Sequence, residues 1–225
     1  MKILILAAHP DDEVLGMGGT IKKLSKGGND IKIIFMSTGI LSRRKIESKV
    51  SKQVFTKDWM KKNANKIKNL RDDAKKAGKI LGVNEIEFMD FPDNEMDIVS
   101  TLMITKSIEN SIKDFKPNVV YTTPQNDVNV DHQKVFASTL VATRPYKNSI
   151  LQEVISYEIP SSTEWFFPSQ FSPNIFVDIS KEFTSKIKAI KAYKTEIREF
   201  PHPRSIEALE VITKRWGSVA GFNFA

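Results

Sequence analysis

The chain opens on Ile3-Leu4-Ile5-Leu6-Ala7-Ala8, an apolar run of strand length that stops at His9-Pro10-Asp11-Asp12-Glu13. The run has no helical period, so it reads as a strand. Pro10 forbids smooth continuation of pairing, which leaves His9 at the strand's carboxyl end and crowds the acids into the turn after it. Three successive carboxylates beside an imidazole repel one another unless a cation sits among them. His9 and Asp12 are three apart in a tight turn, a spacing that can bring a ring nitrogen and a carboxylate oxygen onto one ion. The simpler reading is an acidic first helical turn, favoured by the helix dipole. It accounts for the acids but not for the histidine. The stretch looks like half a metal site.

A chain of 225 residues has room for one large α/β domain, and a single domain over 1–225 is expected. Cysteine is absent, which excludes disulfides, thiolate metal sites and cysteine nucleophiles, and fits a reducing compartment. Met1-Lys2 leads straight into the strand, so no signal peptide is expected. No apolar run approaches the roughly 20 residues of a membrane span. These features predict a soluble, cytoplasmic protein. The net charge of +7 is uneven: residues 43–79 hold 14 Lys/Arg against 4 Asp/Glu, and the remainder is mildly acidic.

Further strands are expected at Ile31–Ser37, Ile86–Phe91 and Asn118–Thr123, then at Glu153–Pro160 and Asn174–Ile179. Helices are expected from Glu13 to about Lys26, from Trp59 to Leu81, through Ile98–Phe115 and beyond His132, with two more near Phe183–Arg198 and Ser205–Trp216. Gly16-Met17-Gly18-Gly19 lies inside the first helix, not directly after the strand. Carboxylates fill the turn where a pyrophosphate would sit, so this is no dinucleotide fingerprint. Small residues there suit close packing or substrate approach. On the Trp59–Leu81 helix the apolar stripe includes Arg71, either snorkelling or aimed into a site. Alternating strands and helices predict an α/β fold with a Rossmann-like, mainly parallel sheet and flanking helices.

Three histidines, at 9, 132 and 202, are all the chain has. The first two follow strand ends beside clustered acids. In a parallel sheet those ends face one way, so the loops at 9–13 and 124–132 can meet at one rim. His9, Asp12 and His132 then offer two nitrogens and one oxygen, the ligand count of a catalytic zinc site with a position left for water. Asp127-x-Asn129-x-Asp131 imitates half an EF-hand. His132 and Ser138 stand where that loop needs glycine and glutamate, so the calcium reading fails.

Ala8-His9-Pro10-Asp11-Asp12-Glu13, followed by Asp127-x-Asn129-x-Asp131-His132, resembles the PIG-L/LmbE-like family of zinc-dependent N-acetylglucosaminyl de-N-acetylases. The resemblance extends over most of the chain, through Leu81-Gly82-Val83 and His202-Pro203-Arg204-Ser205. It implies a metal held by His9, Asp12 and His132 (zinc, or another divalent ion), and Asp11 as general base. It also implies an N-acetylated amino sugar or its conjugate as substrate. The chemistry is consistent, because zinc lowers the pKa of bound water toward about 7 and polarises the carbonyl. Glu13 is expected to orient the loop or cap the helix, and Asp131 to hold the ring of His132. The family often carries a histidine where this chain has Asn129, which leaves the oxyanion partner open. His202, flanked by two prolines, is the expected replacement, with Asn129 and Arg204 as alternatives. Arg71, Asp93, Arg43 and Arg204 are expected to contact substrate, with Arg44 near them, and the basic segment predicts an anionic one.

Two rivals stand beside this reading. One is a related metal hydrolase acting on another amide or ester. The other is a non-catalytic binder of phosphorylated sugar or nucleic acid, with the basic segment as its footprint. Only Phe55 and Trp59 supply aromatics to the basic stretch and no nucleic-acid module is present, so no nucleic-acid partner is expected. Oligomeric state is left open.

Overall fold

The computed structural model describes residues 1–40, 57–147, 149–169 and 171–225. Five parallel strands form one sheet: β1 (Lys2–Ala7), β2 (Asp30–Ser37), β3 (Glu85–Phe91), β4 (Val119–Thr122) and β5 (Glu153–Ser156), in the order β3-β2-β1-β4-β5. The seven described helices are α1 (Asp12–Lys26), α2 (Lys57–Lys62), α3 (Ala64–Leu81), α4 (Thr101–Phe115), α5 (Val130–Ala142), α6 (Phe183–Ile190) and α7 (Ile206–Ala220).

The central strand explains why its sequence is apolar without alternation. Ile3, Ile5 and Ala7 pack into one buried layer with residues of α1, α3 and α6, while Leu4, Leu6 and Ala8 pack into the other with residues of α4 and α5. A strand covered on both faces needs hydrophobic residues at every position. Strand order reverses between β1 and β4, so the connections leaving them go to opposite faces and open a crevice at their carboxyl ends.

The α1 glycines serve packing. A Cβ on Gly16 would come within 2.2 Å of the Glu158 carbonyl oxygen, and one on Gly19 within 2.6 Å of Ile179. Three expectations need correction. Asn174–Ile179 is not a strand: the Ile179 side chain fills the space over Gly19, and its N–H donates to the Phe224 carbonyl rather than to a neighbouring strand. The Trp59–Leu81 helix is broken at Asn63 into α2 and α3. The helix begun at Phe183 ends at Ile190, and the chain turns so that Tyr193 reaches Glu13, a tertiary contact that overrides local propensity. No helix among the described residues is long and apolar enough to cross a membrane.

Candidate metal centre and cleft

α1 starts at Asp12, immediately after the turn, and Asp11 occupies the position before it with φ 128°. The Asp12 carboxylate folds back onto the His9 N–H, with Oδ2 at 2.8 Å. That oxygen also lies 3.6 Å from His9 Nδ1 and 3.3 Å from His132 Nε2. The two ring nitrogens are themselves 3.3 Å apart. His132 arrives on the first turn of α5, whose N-cap is Asn129, its Oδ1 accepting the Asp131 N–H at 2.9 Å.

Each imidazole turns its other nitrogen to buried carboxylate. His9 Nε2 meets Asp131 Oδ2 at 2.9 Å and Asp93 Oδ1 at 3.1 Å, and His132 Nδ1 meets Asp127 Oδ2 at 2.8 Å. In the neutral rings those acceptors hold the protons on the outer nitrogens and leave the inner ones as lone pairs. Two lone pairs and a carboxylate oxygen therefore converge on one point, an arrangement that repels itself without positive charge. Donors about 2.0–2.1 Å from one tetrahedral zinc stand roughly 3.3–3.4 Å apart, which matches this triangle. The donor set fits a divalent metal. A second grouping, His9 with Asp93 and Asp131, also has its atoms close together. Asp131 there is already engaged by the N–H groups of Asn94 at 2.6 Å and Met96 at 3.0 Å, so it fits the role of holding His9 in place.

Electrostatics agree. Burial works against charge on His132, yet Asp12 and Asp127 overcome it and raise its pKa to about 9. His9 is likewise raised well above its ordinary value, since carboxylates of Asp12, Asp131 and Asp93 outweigh its burial. Asp12 is buried too, but the two histidines hold it far below the usual carboxylate range. Without a cation, the cluster recruits protons. Asp11 moves the other way: burial pushes it up to about 7, against the pull of the Arg204 guanidinium. Arg204 Nη1 donates to Asp11 Oδ2 at 2.9 Å and approaches Glu196 Oε2 at 3.3 Å, and its Nε donates to Ser161 Oγ at 2.8 Å. Glu13 Oε2 accepts the Asp11 N–H at 3.1 Å and Oε1 accepts the Tyr193 hydroxyl at 2.5 Å; burial raises its pKa to about 8.

His9, Asp11, Asp12, His132, Glu196 and Arg204 line a cleft of about 340 Å³, joined by Asn94, Asn129, Ser161, Ser162 and Arg198. A roomier groove near the ends of α4 and α5, about 850 Å³, contains no histidine and no part of this cluster.

Several expected site residues fall elsewhere. Asp131 holds His9, and Asp127 holds His132, the reverse of the sequence expectation for Asp131. Asp93 lines the cleft as expected, but its carboxylate is buried and turned to His9 Nε2 at 3.1 Å. Arg71 does not line the cleft: it pairs with Asp90 at 2.6 Å and covers the Phe88 ring, at the edge of an α3 stripe formed by Ile67, Leu70, Ala74, Ala77 and Leu81. His202 does not line it either. Its Nδ1 accepts the Arg204 N–H at 3.1 Å and its ring stands edge-on to Trp165. Arg43 and Arg44 lie outside the described residues. Sequence reasoning missed Asp127, Ser162, Glu196 and Arg198. Asp127 was legible as the first acid of its loop, whereas the last two lay in a stretch read as helix.

Fold and cluster together define a class, an α/β enzyme built around two histidines and one aspartate at the carboxyl edge of a parallel sheet. Residues 4–143 match the family model described as PIG-L, GlcNAc-PI de-N-acetylase, and the chain belongs to that family, an enzyme of the deacetylase type. It is 26% identical over 230 residues to the diacetylchitobiose deacetylase of Thermococcus kodakarensis, covering 100% of this chain and 80% of that protein. A probable N-acetyl-alpha-D-glucosaminyl L-malate deacetylase 2 of Bacillus cereus is 22% identical over 219 residues, 95% of this chain and 93% of its own. The solved N,N'-diacetylchitobiose deacetylase of Pyrococcus horikoshii, complexed with its inhibitor MPG, superposes with a TM-score of 0.70 at 20% identity, covering 99% of this chain and 80% of that one.

Proposed function

We propose that the protein is a zinc-dependent hydrolase that removes acetyl from an N-acetylated amino sugar conjugate in the cytoplasm. The observation that carries the reading is the triangle of His9 Nδ1, His132 Nε2 and Asp12 Oδ2, with sides of 3.3–3.6 Å. These three residues would hold the ion, which when bound acts as a Lewis acid toward an acyl oxygen and a water molecule.

Asp11 is the general base. Its carboxylate takes a proton from the attacking water as the new C–O bond forms, then returns that proton to the amide nitrogen as the C–N bond breaks. Acetate and the free amine leave. A carboxyl with pKa near neutrality suits both transfers. Arg204 anchors Asp11 through Oδ2, and Asn129 offers its side-chain amide from the opposite loop as a neutral donor toward the acyl oxygen. Asn94 and Ser161 offer further polar contacts to sugar hydroxyls.

Acetate release from a panel of N-acetylglucosamine conjugates tests the reaction, and Asp11→Asn tests the base. That variant keeps one metal per chain and loses about 10²–10⁴-fold in kcat. Full activity in Asp11→Asn, or no acetate from any conjugate by metal-loaded wild type, overturns the proposal.

A further inference from the structure

Among the described residues, the two arginines that line this cleft come from the segment between α6 and α7, and they are held differently. Arg204 is matched by carboxylates, with Asp11 at 2.9 Å and Glu196 at 3.3 Å. Arg198 lines the same cleft from an exposed position. Its Nη1 donates to the carbonyl oxygens of Thr195 at 2.7 Å and Ile197 at 3.0 Å. Those bonds tie the guanidinium to its own turn without neutralising it, and among the described residues Arg198 forms no ion pair. Its Nε and Nη2 donors remain available.

A solvated surface arginine accounts for the exposure. It does not account for a guanidinium tethered to two carbonyls on the wall of a cleft whose other lining residues include four acids, Asp11, Asp12, Asp93 and Glu196, with Arg204 already paired to two of them. Among the described lining residues, Arg198 is the arginine that no carboxylate pairs with, so its guanidinium is free to receive an anion. The guanidinium fork matches carboxylate and phosphate oxygens in pairs. Geometry also separates the two ends of a substrate. The reacting acetamide has to sit at the histidine–aspartate triangle, so an acid at Arg198 belongs to the part of the conjugate beyond the sugar.

We infer that Arg198 is a specificity-determining residue that receives a carboxylate or phosphate on the aglycone of the amino sugar. This rests on the deacetylase reading above and narrows it: the preferred conjugates are acid-bearing ones.

Three N-acetylglucosaminides that share the sugar test it: the methyl glycoside, a hydroxy-acid glycoside carrying a carboxylate, and a phosphodiester. Metal-loaded wild type, Arg198→Ala and Arg198→Lys are compared by acetate release. Arg198→Ala lowers kcat/KM for an acid-bearing conjugate about tenfold more than for the methyl glycoside, chiefly through KM, which is the scale of one charge-assisted hydrogen bond. Arg198→Lys retains part of the preference, and added salt erodes it in wild type. The carboxylate and phosphate arms show which acid the site takes. Equal loss on all three conjugates, or none on any, overturns the inference while leaving the deacetylase reading intact. Calorimetric binding of the acid-bearing glycosides separates the two claims. Equal affinity in wild type and Arg198→Ala overturns the role of Arg198 whether or not the amide is cleaved. Arg198-dependent binding without acetate release overturns the reaction and upholds the anion contact.

Discussion

Asp11 holds its backbone at φ 128° and ψ −25°, where an L-residue pays roughly 1–3 kcal/mol of strain. That conformation lets two adjacent carboxylates diverge, Asp12 toward the imidazoles and Asp11 toward Arg204, and Glu13 secures it by accepting the Asp11 N–H. The same residue-level logic decides which acid serves which histidine. Asp131 and His132 are neighbours on the first turn of α5, and helical neighbours do not face each other. Asp127 lies in the loop before the N-cap, where it accepts from His132 Nδ1 at 2.8 Å, Ser162 Oγ at 2.6 Å and the Asn129 N–H at 2.7 Å. The acidic motif was legible in the sequence. Its division of labour was not, because that depends on where the helix begins. Asp127→Ala should therefore weaken metal affinity about 10–100-fold by freeing the His132 ring. Competition against a chromogenic chelator measures this, and unchanged affinity would return Asp127 to a purely structural role.

Helices α1 and α6 meet through Lys186, an element-scale contact that no sequence pattern announced. Its side chain is buried with Nζ donating to the Leu15 carbonyl at 2.7 Å, and its Cγ packs over Gly18. Burial lowers its pKa to about 8, partly opposed by Glu158. The unfolded value is about 10.4, so between roughly pH 8 and 10.4 the unfolded chain binds more protons than the native one. Stability from this group therefore rises with pH across that window. Below it the full penalty, about 3 kcal/mol, is present. Urea denaturation from pH 7 to 9.5 should show wild type gaining on Lys186→Met as pH rises, whereas parallel profiles would mean the amine is not desolvated. Elements whose apolar pattern is continuous, such as β1 and β2, were readable from sequence. The stretches at 174–179 and 191–198 were misread because tertiary partners, Gly19 for Ile179 and Glu13 for Tyr193, replace the regular hydrogen bonding their composition suggested.

At the scale of the whole molecule, the sheet order brings two separate loops together at the β1/β4 switch point, and a third loop after β3 closes the cluster with Asp93. His9, Asp12, Asp93, Asp127, Asp131 and His132 are all buried there. In the unfolded chain these residues are scattered over more than a hundred positions and form no site, so an ion that binds the native cluster stabilises it by mass action. At an ion concentration about 1,000 times Kd, the gain is about 4 kcal/mol. For a chain of this size each kcal/mol moves Tm by roughly 2–4 °C, so chelation should lower the melting temperature by about 8–16 °C. Scanning calorimetry of the zinc-loaded and chelated protein measures the difference, and adding zinc back should restore it. His132→Ala, which removes one corner of the triangle, should melt at a temperature nearly independent of zinc. A wild-type Tm indifferent to chelator, or a variant that responds as wild type does, would show that the triangle is not where the ion binds.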